Sequence, residues 1–276
     1  MALIEPHRAA TSDQPNWDTG SHQDFYQYYE KKSLSPTTME RFRATTDTLL
    51  RLYGKLEAGR ALDVLDIGCG AGAQAKFWLE NDHHYWGVDI NQPLIDLAQE
   101  RARRGGLDAR FEVGTATDLP YTNASMDVCV LPELLEHVKD WEGCVNEAVR
   151  VLRPHGLIYI STSNKLCPVQ EEFNLPFYSW YPGVLKQYFE RRALTDWPAV
   201  ANYAKYPAVN WFTFFQLRDY LLARSFDSWD RFSIAQSEGK SALHRTALTL
   251  LRNVEPLRFL GHMLTSYTLL IARKSG

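Results

Sequence analysis

Residues Val64–Gly72 read VLDIGCGAG, an apolar run that meets an acid at Asp66 and opens into glycines at positions 68, 70 and 72. A strand that ends in such a turn brings backbone close to a ligand, because glycine adopts conformations that a Cβ forbids. Gly68–Ala73 satisfies the G-x-G-x-x-[GA] dinucleotide fingerprint, so the first question is whether the turn meets a pyrophosphate. Three acids point elsewhere. Asp66 lies inside the strand, two residues before Gly68, where a carboxylate repels phosphate and holds an ammonium group. Asp89 ends the next strand in GVDIN, from which a carboxylate accepts both hydroxyls of a ribose; dinucleotide enzymes place an acid there too. Asp118, in TDLPY (117–121), can accept from an exocyclic amine while the Leu119 backbone addresses an adenine edge.

An ammonium, a ribose and an adenine without phosphate are the parts of S-adenosylmethionine. The elements around the turn support a nucleoside-binding α/β sheet. Ala61–Cys69 reads as a strand and Ala73–Glu80 as a helix. His84–Asn91 is a second strand, and Pro93 opens a helix through Arg104 at a position where proline is tolerated. ARFEVGTA from Ala109, MDVCVLP from Met126 and GLIYISTS from Gly156 are further strands, with a helix over 141–152. Short apolar strands alternating with helices predict βαβ units and a parallel sheet covered on both faces.

As an ordered set, VLDIGCGAG, GVDIN, ATDLP, MDVCVLPELLEHV and LRPHGLIYIST resemble the class I S-adenosylmethionine-dependent methyltransferases over about residues 60–165. ELLEHV and LRPHG look like the ubiquinone-biosynthesis O-methyltransferase and its small-molecule relatives. The resemblance implies a Rossmann-like α/β fold: a seven-stranded sheet, mostly parallel with the last strand antiparallel. The prolines and dense aromatics of residues 165–211, too long for a structureless loop, predict a helical cap inserted after strand 5. The resemblance also implies S-adenosylmethionine as cofactor and S-adenosylhomocysteine as product. Asp66, Gly68, Gly70, Asp89, Asp118 and Leu119 take cofactor roles, and Cys69, Gly72, Ile90 and Leu131 complete the expected set. Residues 1–59 are expected to form an arm with lid helices, and 60–276 the methyltransferase domain with its cap at 165–212.

The acceptor side is read from the residues nearest the end of strand 4 and from the cap. His137 follows that strand and is the candidate general base, since imidazole ordinarily titrates near pH ~6.5. Glu133, Glu136 and His137 fall at helical i, i+3, i+4 spacing, a face on which a divalent cation can sit; hydrogen-bonded residues at a helix start explain the spacing more cheaply, and no metal is assigned. Tyr26 and Tyr29 are expected in a lid, and Phe177, Trp180 and Tyr181, with Trp211, along the acceptor pocket. The stretch His244–Leu264 carries a leucine stripe among arginines that can cover a greasy substrate or lie on a membrane, and Pro256 breaks any continuous helix there. SWDRFSIA and YTLLIARK are read as two late strands.

Composition bounds the partners. The 276 residues are 45% hydrophobic and carry a net charge of -3, so there is no electrostatic footprint for nucleic acid. The four cysteines form no C-x-x-C pair, and the N-terminal stretch lacks an apolar leader; both fit a reducing, cytoplasmic setting. No apolar run reaches the roughly 20 residues of a membrane span. With the resemblance above, the expected activity is O-methylation of a small or lipid-linked molecule such as a quinone precursor, glycan or secondary metabolite, with peripheral membrane contact allowed. N- or C-methylation, an NAD(P)-dependent oxidoreductase and a non-catalytic nucleoside-binding subunit are the alternatives.

Overall fold

The computed structural model describes residues 31–54, 59–169, 172–201 and 208–276. Tyr26 and Tyr29, expected in a lid, lie outside the described residues. Seven strands hydrogen-bond in the order β3-β2-β1-β4-β5-β7-β6. They are β1 (Asp63–Ile67), β2 (His84–Asp89), β3 (Ala109–Val113), β4 (Met126–Pro132), β5 (Leu152–Ser163), β6 (Phe226–Asp230) and β7 (Tyr267–Lys274). β1 pairs in parallel with β2 and β4, and β2 with β3, whereas β6 and β7 pair antiparallel. The expected mostly parallel seven-stranded sheet is therefore present. Its strand 5 begins at Leu152, four residues earlier than the sequence suggests, with Pro154 as the third residue of the strand.

The chain divides into two compact units, residues 1–131 with 140–159 and 276, and residues 132–139 with 160–275. In the first unit the helices are α1 (Pro36–Gly54), α2 (Ala75–Leu79), α3 (Gln92–Gly105) and α4 (Trp141–Val151). Val128, Cys129, Val130 and Leu131 of β4 are wholly buried, as a strand covered on both faces requires. α3 opens with Pro93 in its first turn and closes on Gly106 at φ 62°, the left-handed cap that glycine adopts without penalty. At the start of the strands Asp127 is almost fully buried and gathers charge. Its Oδ2 accepts from Arg60 (2.8 Å), Arg153 (2.7 Å) and the Asp63 N–H (2.8 Å), and its Oδ1 accepts from Arg60 (2.5 Å).

The second unit holds α5 (Gly183–Leu194), α6 (Phe214–Leu222), α7 (Arg231–Ile234), α8 (Ala242–Asn253) and α9 (Glu255–Met263). The stretch after strand 5 builds a core of its own from Phe173, Tyr178, Val200 and Trp211. Phe173 stacks on Tyr178 with centroids 3.9 Å apart, and the Lys186 ammonium sits 4.1 Å from the Trp211 centroid. Trp211 therefore belongs to the cap's interior, which corrects its expected place in a pocket wall. SWDRFSIA is also only half a strand. β6 ends at Asp230, whose carboxylate accepts from the Ser233 N–H and hydroxyl and starts α7. The same carboxylate accepts from Arg258 (2.7 Å) and pairs with His262 (3.0 Å), fastening α9 to the strand end. Pro256 falls in the first turn of α9, after the chain breaks at Val254, as its missing N–H dictates. Leu243 and Leu264 at the outer ends of this helix pair are more than four-fifths exposed. No helix among the described residues is long and apolar enough to cross a membrane.

Candidate functional site

The glycine turn follows β1 directly, and all three glycines have positive φ: 77° at Gly68, 52° at Gly70 and 68° at Gly72. The Gly68 and Cys69 N–H groups both donate to the Val88 carbonyl at 2.7 and 3.1 Å, which binds the turn to β2. At Gly72 a Cβ would stand 2.6 Å from the Phe111 ring of β3, so conformation and space both demand glycine. Gly72→Ala is expected to cost about 2 kcal/mol through the strained φ and the displaced ring. Urea unfolding checks this, and an unchanged midpoint would show that the turn relaxes freely.

Two acids frame the turn. Asp89 ends β2 with its Oδ2 accepting from the Gly70 N–H (2.9 Å) and its Oδ1 from the Asn91 N–H (2.9 Å). The carboxylate is thus held in one orientation by backbone donors, with acceptor capacity left for a hydroxyl. Burial raises its pKa, against the lowering by the Asn91, Gly70 and Ile90 backbone N–H groups. Asp66 is 2% exposed. Its Oδ2 accepts from the Tyr85 hydroxyl at 2.5 Å, whereas Oδ1 is buried with no partner among the described residues. Burial pushes this carboxyl up to about 7, the Tyr85 hydrogen bond opposes that, and Asp89 adds to it.

The remaining expected cofactor residues are also in the first unit. Leu131 is fully buried, Ile90 is exposed just beyond Asp89, and the Cys69 thiol is buried, which raises its pKa. Asp118 is exposed, and its charge acts on Arg150 of α4. Leu119 departs from its expected role. Its N–H donates to Glu147 (2.8 Å) and its carbonyl accepts from Arg150 (3.0 Å), so the backbone proposed for an adenine edge is already tied to α4. Gly114 donates to the Asp89 carbonyl at 3.1 Å, so the loop after β3 starts beside that acid. Sequence reasoning missed Tyr85 and Gln74. Gln74 is 1% exposed, directly after the glycine turn, and neither of its amide atoms has a partner among the described residues.

In the second unit Glu133, Glu136 and His137 do not share a helix face. The chain from 133 to 139 is a turn: Glu133 sits at φ 52°, its N–H donates to the Ser161 carbonyl (2.8 Å), and only the His137 N–H to Leu134 carbonyl bond (2.9 Å) has helical sense. The bond to Ser161 keeps Glu133 on the path of the preceding strand and prevents a helix from starting. Glu136 and His137 meet Glu172 instead, with one ligand atom from each within 4.8 Å of the others. That donor set, two carboxylates and an imidazole, can hold a divalent cation. The Glu136 carboxyl, buried and accepting from Thr162 (2.8 Å), is pushed up to about 8 chiefly by burial, so it is largely uncharged at neutral pH. Phe177 and Trp180 are about half exposed, with ring centroids 5.4 Å apart. Tyr181 packs against the cap core, 5.4 Å from the Tyr178 ring.

The family model for the methyltransferase domain matches residues 65–160. The 27-O-demethylrifamycin SV methyltransferase of Amycolatopsis mediterranei is 39% identical over 116 residues, 41% of this chain and 43% of the relative. The ubiquinone biosynthesis O-methyltransferase of Bartonella tribocorum is 32% identical over 104 residues, 38% of this chain and 42% of the relative. The aligned stretches span about two fifths of the length of both relatives. A solved S-adenosylmethionine dependent methyltransferase from Mesorhizobium loti has a TM-score of 0.54 at 18% identity, covering 81% of this chain and 96% of that one. At that identity the likeness speaks for the fold.

Proposed function

Residues 65–160 form a class I S-adenosylmethionine-dependent methyltransferase domain, and on that premise we propose that the chain methylates an oxygen of a small or lipid-linked acceptor. The observation that carries the cofactor assignment is Asp66 Oδ1. A buried carboxylate oxygen without a partner is costly unless a donor arrives, and beside a turn of three positive-φ glycines the donor of matching charge is an ammonium group. A pyrophosphate there would face that acid, which disfavours the oxidoreductase. Asp66 would hold the amino-acid tail, Asp89 the ribose hydroxyls and Asp118 the exocyclic amine. Gly68, Cys69, Gly70, Gly72, Ile90 and Leu131 would form the cradle, in which Leu119 contributes its buried side chain.

When bound, S-adenosylmethionine supplies an electrophilic methyl group on a sulfonium that leaves as a neutral thioether. The chain then has to hold the acceptor in line and exclude water, a proximity effect worth several kcal/mol. His137 would take the proton of an acceptor hydroxyl. Phe177, Trp180 and Tyr181 would offer apolar contact, and the exposed leucines of α8 and α9 a peripheral membrane contact. Oxygen is favoured over nitrogen or carbon because two relatives aligned with this domain, from A. mediterranei and B. tribocorum, carry names that specify O-methylation. We assign residues 60–276 to the catalytic domain with the cap at 165–212, and 1–59 to an arm. All four cysteines are buried and free, which suits a cytoplasmic protein.

Calorimetric titration of the full chain is expected to show binding of S-adenosylhomocysteine and none of NAD. Incubation with labelled S-adenosylmethionine and a panel of phenols, sugars and amines is expected to label oxygen acceptors. Binding of NAD alone would end the methyltransferase reading; label confined to amines would move it to nitrogen; tight nucleoside binding with no transfer would favour a binding subunit.

A further inference from the structure

We propose that Tyr85 is the positioning residue of Asp66: its phenol occupies one carboxylate oxygen, so that the other alone is presented to the ammonium group of the cofactor's amino-acid tail. The inference rests on the cofactor reading above and names a residue outside the set that the sequence supplies.

The register of the sheet explains why Tyr85 can do this. β1 and β2 pair in parallel with Val64 opposite Tyr85 and Asp66 opposite Gly87, so Tyr85 lies on the same face as Asp66, one pleat away along the diagonal. Diagonal neighbours in a sheet are roughly 7–8 Å apart, within reach of an aromatic side chain. The residue directly opposite Asp66 is a glycine. A Cβ at Gly87 would stand 2.7 Å from the Phe111 ring and 2.8 Å from the Cys69 sulfur. The place directly across from Asp66 is thus filled by the Phe111 ring and the Cys69 sulfur and not by a β2 side chain, and the Tyr85 hydroxyl reaches Oδ2 from one pleat along the strand at 2.5 Å. Both residues are buried, Tyr85 at 1% exposure, so neither group exchanges its partner for water.

A phenol in an otherwise apolar buried strand needs an acceptor, and Asp66 supplies it. The reciprocal effect is on Asp66. Among the described residues, the groups that act on it are the Tyr85 phenol and the Asp89 carboxylate from β2, and the Cys69 thiol from the turn. None of the three is a cation. The hydrogen bond from Tyr85 is the one that favours the ionised form, while burial and Asp89 oppose it. An incoming ammonium group therefore meets a carboxylate that Tyr85 has both oriented and helped to ionise.

The experiment is a calorimetric titration of the full chain with S-adenosylhomocysteine between pH 5.5 and 8.5, where the probe's amine stays largely charged. 5′-Methylthioadenosine, which lacks the amino-acid tail, serves as the second probe. In the wild type, the affinity for S-adenosylhomocysteine is expected to be about tenfold weaker at pH 6 than at pH 8, because a pKa unit corresponds to a tenfold change; 5′-methylthioadenosine shows no such slope. Tyr85→Phe moves the midpoint of the slope upward, with a loss of about tenfold at pH 7 that shrinks by pH 8.5. A Tyr85→Phe profile that superimposes on the wild type, or a loss equal at every pH and for both probes, overturns the proposal. Should Tyr85→Phe fail to fold, parallel pH profiles of the two probes in the wild type also overturn it. A wild type that binds neither probe refutes the cofactor reading itself, which is a separate result.

Discussion

Asp127→Asn is expected to lower folding stability by about 3 kcal/mol, seen as a fall in melting temperature of roughly 6–12 °C. The carboxylate is 1% exposed and receives donors from Arg60, Arg153 and the Asp63 backbone. Asparagine keeps the shape but turns an amide donor toward two guanidinium groups, and a buried pair broken on one side leaves the other charge uncompensated. The magnitude is set at the low end of the range because the Arg60 side chain is about half exposed. The pH dependence follows from sign. Burial raises the Asp127 pKa, but the Arg60, Asp63 and Arg153 hydrogen bonds outweigh it, and the net shift is downward. A depressed folded-state pKa stabilises above the ordinary carboxylate value near ~4 and ceases to do so as pH falls through the folded value. The gap in melting temperature between wild type and variant should therefore be constant at neutral pH and narrow on acidification below about 4. A gap that does not narrow at all on acidification below about 4, or one below about 2 °C at pH 7, would show that the cluster is not a keystone of the first unit.

The second large effect concerns chemistry. His137→Ala is expected to reduce kcat for a hydroxyl acceptor by about 10²–10⁴, the usual worth of a general base, with affinity for S-adenosylhomocysteine unchanged. His137 is fixed by its place in the turn after β4, and its neighbours Glu136 and Glu172 bring carboxyl oxygens within 4.8 Å of an imidazole nitrogen. Burial pushes the Glu136 carboxyl up to about 8, so at neutral pH it is largely protonated and does not take the proton itself. Steady-state rates and calorimetry on the same preparation separate the alternatives. A kcat within threefold of the wild type would remove His137 from the reaction; an equal loss of nucleoside affinity would make its role structural.

Much of the first unit was legible because its signals are local. An apolar run into three glycines fixes a strand and a turn, and an acid at the end of the next strand fixes where Asp89 stands. What escaped is long-range pairing. The Tyr85 hydroxyl finds Asp66 only through the β1–β2 register, and its one sequence signal is a phenol inside a buried strand. Glu172 reaches His137 from 35 positions away. The false helix over 133–137 came from spacing alone: the i, i+3, i+4 pattern was real, but the Glu133 bond to Ser161 decides the backbone. Leu119 shows the same limit, since nothing near it announces that Glu147 and Arg150 will bind its backbone. In the cap, aromatic density did not distinguish a wall from an interior, and Trp211 went to the interior.

Phe111 has a consequence that reaches beyond its own strand. One ring fills the volume that side chains at both Gly72 and Gly87 would need, so it works as a spacer between the third strand and the bend that follows the first. A change of girth at this residue would shift the loop's amides without altering a single glycine. Sequence drift on an unremarkable strand can in this way retune nucleoside affinity from a distance.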